Sequence, residues 1–149
     1  GVMLRATSAP GSPYYGVFVT PGNGVVVQYR TAQGVTSSNV PTGGAVPVYL
    51  GVGRNGTTFT AYTSPDGVTW TAVPSSSVVL ANLGGTLLAG LAVTSHNTSQ
   101  LSAVTFDTVS SSPNLPAAAT RGGRTAPAAL PQAPPRSLPS PSPLISPKP

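Results

Sequence analysis

The stretch RNGTTFTAYTSPDGVTW, residues 54–70, determines the fold class of this 149-residue chain. It contains an Asn-Gly and an Asp-Gly dipeptide on either side of a β-branched and aromatic run at 57–63. Both dipeptides tolerate positive φ and are the strongest short-range hairpin signals. We therefore predict an antiparallel meander in which 57–63 pairs with 46–53 and with 69–74.

Similar runs recur along the first 110 residues at intervals of roughly ten residues, the spacing of a sandwich or barrel. Helical periodicity is not found, and the chain has 17 Gly and 18 Pro, which disfavours a helical protein. We predict an all-β antiparallel β-sandwich. Its last two strands are the most apolar and are expected to lie centrally, covered on both faces. The predicted strands are 1–6, 14–20, 24–31, 46–53, 57–63, 69–74, 87–95 and 102–109.

The composition changes near residue 110. All nine aromatic residues precede residue 107, whereas 111–149 holds 11 Pro and no aromatic or acidic residue. Such a segment buries too little apolar area to offset the entropy of ordering it. We predict one folded domain at 1–110 and a disordered Pro-, Ser- and Ala-rich linker or tail at 111–149.

The net charge of +5 is concentrated in that tail, which holds four of the seven cations. A nucleic-acid partner would require clustered Lys and Arg with interleaved aromatics, so none is predicted. No apolar run is long enough for a membrane span, so no membrane insertion is expected.

Strand alternation identifies the candidate binding residues, because successive side chains point to opposite faces. In the run at 14–20 it predicts that one of Tyr14 and Tyr15 is buried and the other exposed. If their strands are neighbours, the polar residues of the mixed faces form a patch of planar donors suited to carbohydrate hydroxyls. The alternative is that each arginine lies over apolar surface or bonds a backbone carbonyl. The residues of this patch are Arg5, Gln28, Arg30 and Tyr62.

Two further features have polar side chains in turns. His96 and Asn97 open a polar loop that could contact sugar hydroxyls, although a lone histidine at a strand end is more often a structural hydrogen-bonder. In the second feature, a hairpin, Asp66 is expected to accept backbone N–H groups while Trp70 packs beneath the turn. This structural hairpin consists of Ser64, Asp66, Gly67 and Trp70.

Four motifs in order resemble the C-terminal half of a bacterial concanavalin A-like (jelly-roll) domain: GVMLR at 1–5, VQYR at 27–30, the stretch 54–70 and GLAVTSHN at 90–97. Modules of this family are appended to secreted, carbohydrate-active and cell-surface proteins. The resemblance implies a jelly roll with further strands before Gly1, an extracellular or cell-surface location, a glycan or polysaccharide partner, and neighbouring domains in the same polypeptide. The chain departs from the family at 49–54, where two glycines weaken a strand interior.

The chain has too few carboxylates for most glycoside hydrolases. The chain has two Asp and no Glu, whereas most glycosidases use two carboxylates that flank the scissile bond. One His and no Cys disfavour transition-metal sites. We predict a non-catalytic accessory module with no metal or cofactor that binds carbohydrate weakly. The alternatives are part of a glycoside hydrolase whose catalytic carboxylates precede Gly1, and a purely structural or adhesive spacer.

Overall fold

The computed structural model describes residues 1–44 and 48–113. These residues form short strands and one 3₁₀ turn, at Ala81–Leu83. All strand pairs are antiparallel, which confirms the predicted all-β class. The strands are β1 (Val2–Arg5), β2 (Tyr14–Thr20), β3 (Gly24–Arg30), β4 (Ser38–Gly43), β5 (Tyr49–Asn55), β6 (Thr58–Ser64), β7 (Thr71–Ala72), β8 (Val78–Val79) and β9 (Leu88–Leu91).

The strands form two sheets. The large sheet has five strands in the order β4-β3-β2-β1-β9. In the small sheet β5 lies on one side of β6, and the short β7 and β8 pair with its other side. The predicted meander is confirmed, since β6 pairs with β5 from Asn55↔Thr58 to Tyr49↔Ser64 and with β7 at Tyr62↔Ala72.

The core lies between the two sheets. As alternation predicts, Val25 and Val27 of β3 face Phe59 and Ala61 of β6 within one buried cluster. Tyr15 joins the sheets, because its ring stacks 5.6 Å from that of Phe59. Two sheets that share one apolar layer are a sandwich-like arrangement.

Two strands were not predicted, β4 and β8. The sequence of β4 is polar and contains Pro41, both of which disfavour a strand interior. β4 is the edge strand of the large sheet, where a missing N–H donor is tolerated. β8 has only two residues, too few to leave a pattern in the sequence.

The prediction for the end of the domain was wrong. The strand expected at 102–109 is absent, and most of those residues are exposed without regular structure. The run at 87–95 contains only β9, which is an edge strand with all four residues exposed rather than a central one. A strand needs a partner for its N–H and C=O groups. Among the described residues, no strand pairs with the free side of β9, so β-propensity alone does not order 102–109.

Two segments, 45–47 and 114–149, lie outside the described residues. Most of the predicted tail at 111–149 therefore lies there too. Within the part that is described, no helix has the length and apolar character needed to cross a membrane.

Candidate functional site

Three of the predicted binding residues lie on one surface, the outer face of the large sheet. The strand register places Arg5 beside Tyr14, and Tyr14 beside Arg30, in a row across β1, β2 and β3. We call Arg5, Tyr14 and Arg30 the arginine row. Gln28 lies in the next row of the same face, opposite Gly16.

Tyr14 and Arg30 form the ordered half of the row. The Arg30 guanidinium carbon lies 5.3 Å from the centre of the Tyr14 ring, a cation–π distance. The Tyr14 hydroxyl donates to the Ser37 hydroxyl oxygen at 3.1 Å. This cover leaves Tyr14 only 8% exposed, and Tyr15 is fully buried. The expectation that one of the two tyrosines is exposed was therefore wrong.

The arginines are held by loop carbonyls. Arg30 donates from Nε to the Val35 carbonyl at 2.8 Å and from Nη1 to the Ser12 carbonyl at 3.4 Å. Arg5 donates from Nη2 to the Ala9 carbonyl at 2.8 Å, while its Nε is buried without a hydrogen-bond partner. Neither arginine forms an ion pair with another described residue. The face therefore has two fixed positive charges whose acceptors are neutral.

A shallow groove adjoins Arg5. It has a volume of about 360 Å³ and follows β1 and β9, lined by Met3, Arg5 and residues 88–93. Leu88, directly opposite Arg5 in the register, is 52% exposed. The groove thus places an open apolar surface next to a cation.

Tyr62 does not belong to this face. It lies on the outer side of the small sheet, opposite Gly51, and is nearly buried. The predicted patch of four residues is therefore divided between two sheets. Alternation specifies which side of its own strand a residue occupies, and it leaves open which sheet contains that strand.

His96 and Asn97 lie at the opposite end of β1 from Arg5. They follow β9 beyond the point where the Gly1 amino group donates to the Ala92 carbonyl at 2.8 Å. The Asn97 Oδ1 accepts the Ser99 N–H at 2.9 Å, so this side chain stabilises its own turn. The structure brings neither residue to the arginine row.

The hairpin between β6 and β7 is organised by Asp66. Its Oδ1 accepts the N–H groups of Thr69 and Val68 at 2.7 and 2.8 Å, and the Ser64 hydroxyl at 2.9 Å. These bonds, the one from Thr69 first, lower the pKa of Asp66 to about 2. A carboxylate with so low a pKa, whose oxygen accepts three hydrogen bonds, is a structural acceptor and is poorly suited to exchange protons near neutral pH.

An aromatic surface on the small sheet was not identified from the sequence. A Cβ at Gly51 would lie 2.9 Å from Cζ3 of Trp70, so the indole ring lies against this glycine. Tyr49 packs in the same way on Gly67 and is 41% exposed. Gly51 therefore makes room for a ring in a complete seven-residue strand, and does not interrupt the strand. A glycine inside a strand can signal such a close approach.

Within the described residues, no group of three or more His, Cys, Asp or Glu side chains is placed to hold a metal ion. Comparisons with protein-family models, with curated proteins and with solved structures give no match to this chain. The outer face of the large sheet, which has the arginine row, is the candidate binding surface.

Proposed function

We propose that this chain is a non-catalytic accessory module of a secreted or cell-surface multidomain protein, of the concanavalin A-like jelly-roll type, that binds carbohydrate weakly. The binding surface is the outer face of the large sheet. The observation that carries the proposal is the arginine row, with Gln28 beside it on the same face. Planar guanidinium and amide donors match the closely spaced hydroxyls of a sugar.

The rigidity of the face supports this proposal. The bonds to the Ala9 and Val35 carbonyls hold each guanidinium in place before any ligand arrives. Binding then loses less side-chain entropy than it would on a mobile surface. The groove beside Arg5 is open rather than enclosed, which suits the side of a polymer better than a small molecule.

Catalysis is not part of the proposal. The chain has two carboxylates, and one of them, Asp66, is used by the hairpin of the small sheet. The other, Asp107, lies in the irregular segment that follows β9. Nothing in the described part places two carboxylates on either side of a sugar-binding surface.

Affinity gel electrophoresis of the full chain in a panel of soluble polysaccharides tests the proposal. We expect retardation in at least one gel, with loss of retardation for Arg30→Ala and a smaller loss for Gln28→Ala. Val68→Ala, on the exposed hairpin of the small sheet, is the matched control and should migrate like the parent chain. If no polysaccharide retards the parent chain, the binding role is refuted.

A purely structural or adhesive module is the second candidate. It is favoured by the bonds from Arg30 to Ser12 and Val35, which fasten two loops to the sheet. In that case Arg30→Ala lowers the melting temperature and no polysaccharide is bound. Measuring melting and gel retardation on the same variants separates the two roles.

A further inference from the structure

We propose that the carbohydrate bound by the large sheet is anionic, a polysaccharide with carboxylate or sulfate groups, and that Arg5 and Arg30 bind those groups. The inference rests on the proposed carbohydrate binding and adds the charge class of the sugar. It follows from the charge of the face, from the spacing of its two cations and from the groove beside Arg5.

The charge of the face is uncompensated. Arg5 and Arg30 donate to the neutral carbonyls of Ala9, Ser12 and Val35. Asp66 is on the hairpin of the small sheet, where backbone N–H groups bind it. Two positive charges on one face with no ion-pair partner in the described part of the chain attract anions and repel cations. Guanidinium groups bind carboxylate and sulfate-like oxygens more strongly than neutral hydroxyls.

The spacing of the two cations favours a repeating anion. Arg5 and Arg30 lie on β1 and β3, with β2 between them. Neighbouring strands are about 4.8 Å apart, so the two backbone positions are about 10 Å apart. A polymer with an acidic group on successive or alternate sugars could contact both arginines at once.

The environment of Arg5 leaves its side chain available. Its Nε is buried without an acceptor, and one bond, to the Ala9 carbonyl, holds its Nη2. A guanidinium has five N–H donors, so an anion can bind those that Arg5 does not use on Ala9 while that bond keeps the side chain in place. The exposed Leu88 in the adjoining groove provides an apolar surface for the C–H face of a neighbouring sugar.

A nucleic acid is also a polyanion, but the arginine row itself lacks what single-stranded nucleic acids use, and the partly exposed ring of Phe18 on the same face lies across Gly16, two rows away. Base stacking requires an open aromatic ring. The ring in the row, Tyr14, is covered by Arg30 and is almost completely buried. An acidic polysaccharide, which needs charge and hydroxyl donors without base stacking, fits this face better.

The experiment uses ligand pairs that differ only in charge. The full chain is run in affinity gels with polygalacturonate and its methyl ester, with dextran sulfate and dextran, and with single-stranded DNA. We expect retardation by polygalacturonate or dextran sulfate, and little by the methyl ester, dextran or DNA. The two charged arms show whether carboxylate or sulfate is preferred. Raising the salt concentration should weaken the charged interactions.

Variants test whether the face, rather than net charge, is responsible. Arg30→Gln should weaken binding up to about fivefold, the range for one exposed charged contact. Arg121→Gln removes the same charge from the predicted tail and should leave binding unchanged. Gln28→Lys adds a cation to the face and should tighten binding, whereas Val68→Lys adds one to the hairpin of the small sheet and should not. Because Gln28→Lys is expected to bind more tightly, its result cannot be explained by a variant that fails to fold.

Several outcomes overturn the inference. Equal retardation by dextran and dextran sulfate would remove the charge preference and leave the proposed carbohydrate binding intact. Equal losses for Arg30→Gln and Arg121→Gln, or binding to DNA as strong as to the acidic polysaccharides, would show a general effect of net charge. No retardation by any polysaccharide would refute the proposed function together with this inference.

Discussion

Replacing Tyr15 with phenylalanine should destabilise the fold through the loss of one hydrogen bond. The Tyr15 hydroxyl donates to the Ser76 carbonyl at 2.7 Å, and both residues are fully buried. Phenylalanine keeps the ring that stacks on Phe59, so the change creates little cavity. It leaves a buried carbonyl without this donor, which costs about 1–3 kcal/mol. We therefore expect the free energy of unfolding to fall by that amount.

Urea denaturation followed by tryptophan fluorescence measures this change, since the chain has one tryptophan, Trp70. Trp70 is on the small sheet and Tyr15 on the large one, so the probe also reports whether the sheets unfold together. Tyr14→Phe is the matched control. Its hydroxyl bonds the Ser37 hydroxyl in a partly buried position, and its loss should cost about 0.5–1 kcal/mol. A Tyr15→Phe variant no less stable than Tyr14→Phe would refute the reasoning.

Three further predictions concern the turns and the pH dependence of stability. Gly56 and Gly67 both have positive φ, at 60° and 74°, so alanine at either position should cost about 1 kcal/mol. Alanine at Gly67 should cost more in thermal denaturation, because its Cβ would lie 3.1 Å from the Tyr49 ring whereas Gly56 has open space; the reverse order would contradict this. The pKa of Asp66 is lowered in the fold to about 2, so its contribution to stability is present above about pH 4 and lost as the pH falls toward 2. Asp66→Asn keeps an acceptor oxygen and should show a shallower acid loss in urea midpoints measured against pH. Burial raises the pKa of Tyr15 to about 12, so its contribution is present below about pH 10 and lost as the pH rises toward 12. The same midpoints should fall less steeply at alkaline pH in Tyr15→Phe than in the parent chain, and an identical alkaline slope would argue against this assignment.

The parts of the fold that the sequence predicted are those set by local rules. The β5-β6-β7 meander follows from two turns whose conformation is encoded in adjacent residues. The core positions Val25, Val27 and Phe59 follow from alternation within one strand. The failures at β4 and at 102–109 are non-local. A polar strand with a proline forms because β3 provides a partner, whereas 102–109 stays irregular although the outer side of β9 is unpaired among the described residues.

The candidate site was likewise predictable where local rules apply, and not where contacts between distant segments decide. Alternation correctly placed Arg5, Gln28 and Arg30 on the outer sides of their strands, and the strand order then brought them together. Tyr62 obeys the same alternation but belongs to the other sheet, which no pattern within β6 reveals. The carbonyls that hold the arginines belong to loops at 6–13 and 31–37. Loop conformation depends on contacts that a single sequence does not display.

The choice of arginine explains how one side chain can both hold a loop and bind a ligand. A guanidinium has five N–H donors in a fixed fork. Arg30 uses two of them, on Val35 and Ser12, and Arg5 uses one, on Ala9. A lysine keeps the charge but has a single ammonium group, so holding the loop and binding an anion would compete. Arg30→Lys should therefore lower the melting temperature while keeping part of the binding to an acidic polysaccharide, whereas Arg30→Gln should lower the melting temperature and weaken that binding further. If the two variants bind equally, the charge at this position does not contribute, and only the loop-holding role of Arg30 remains.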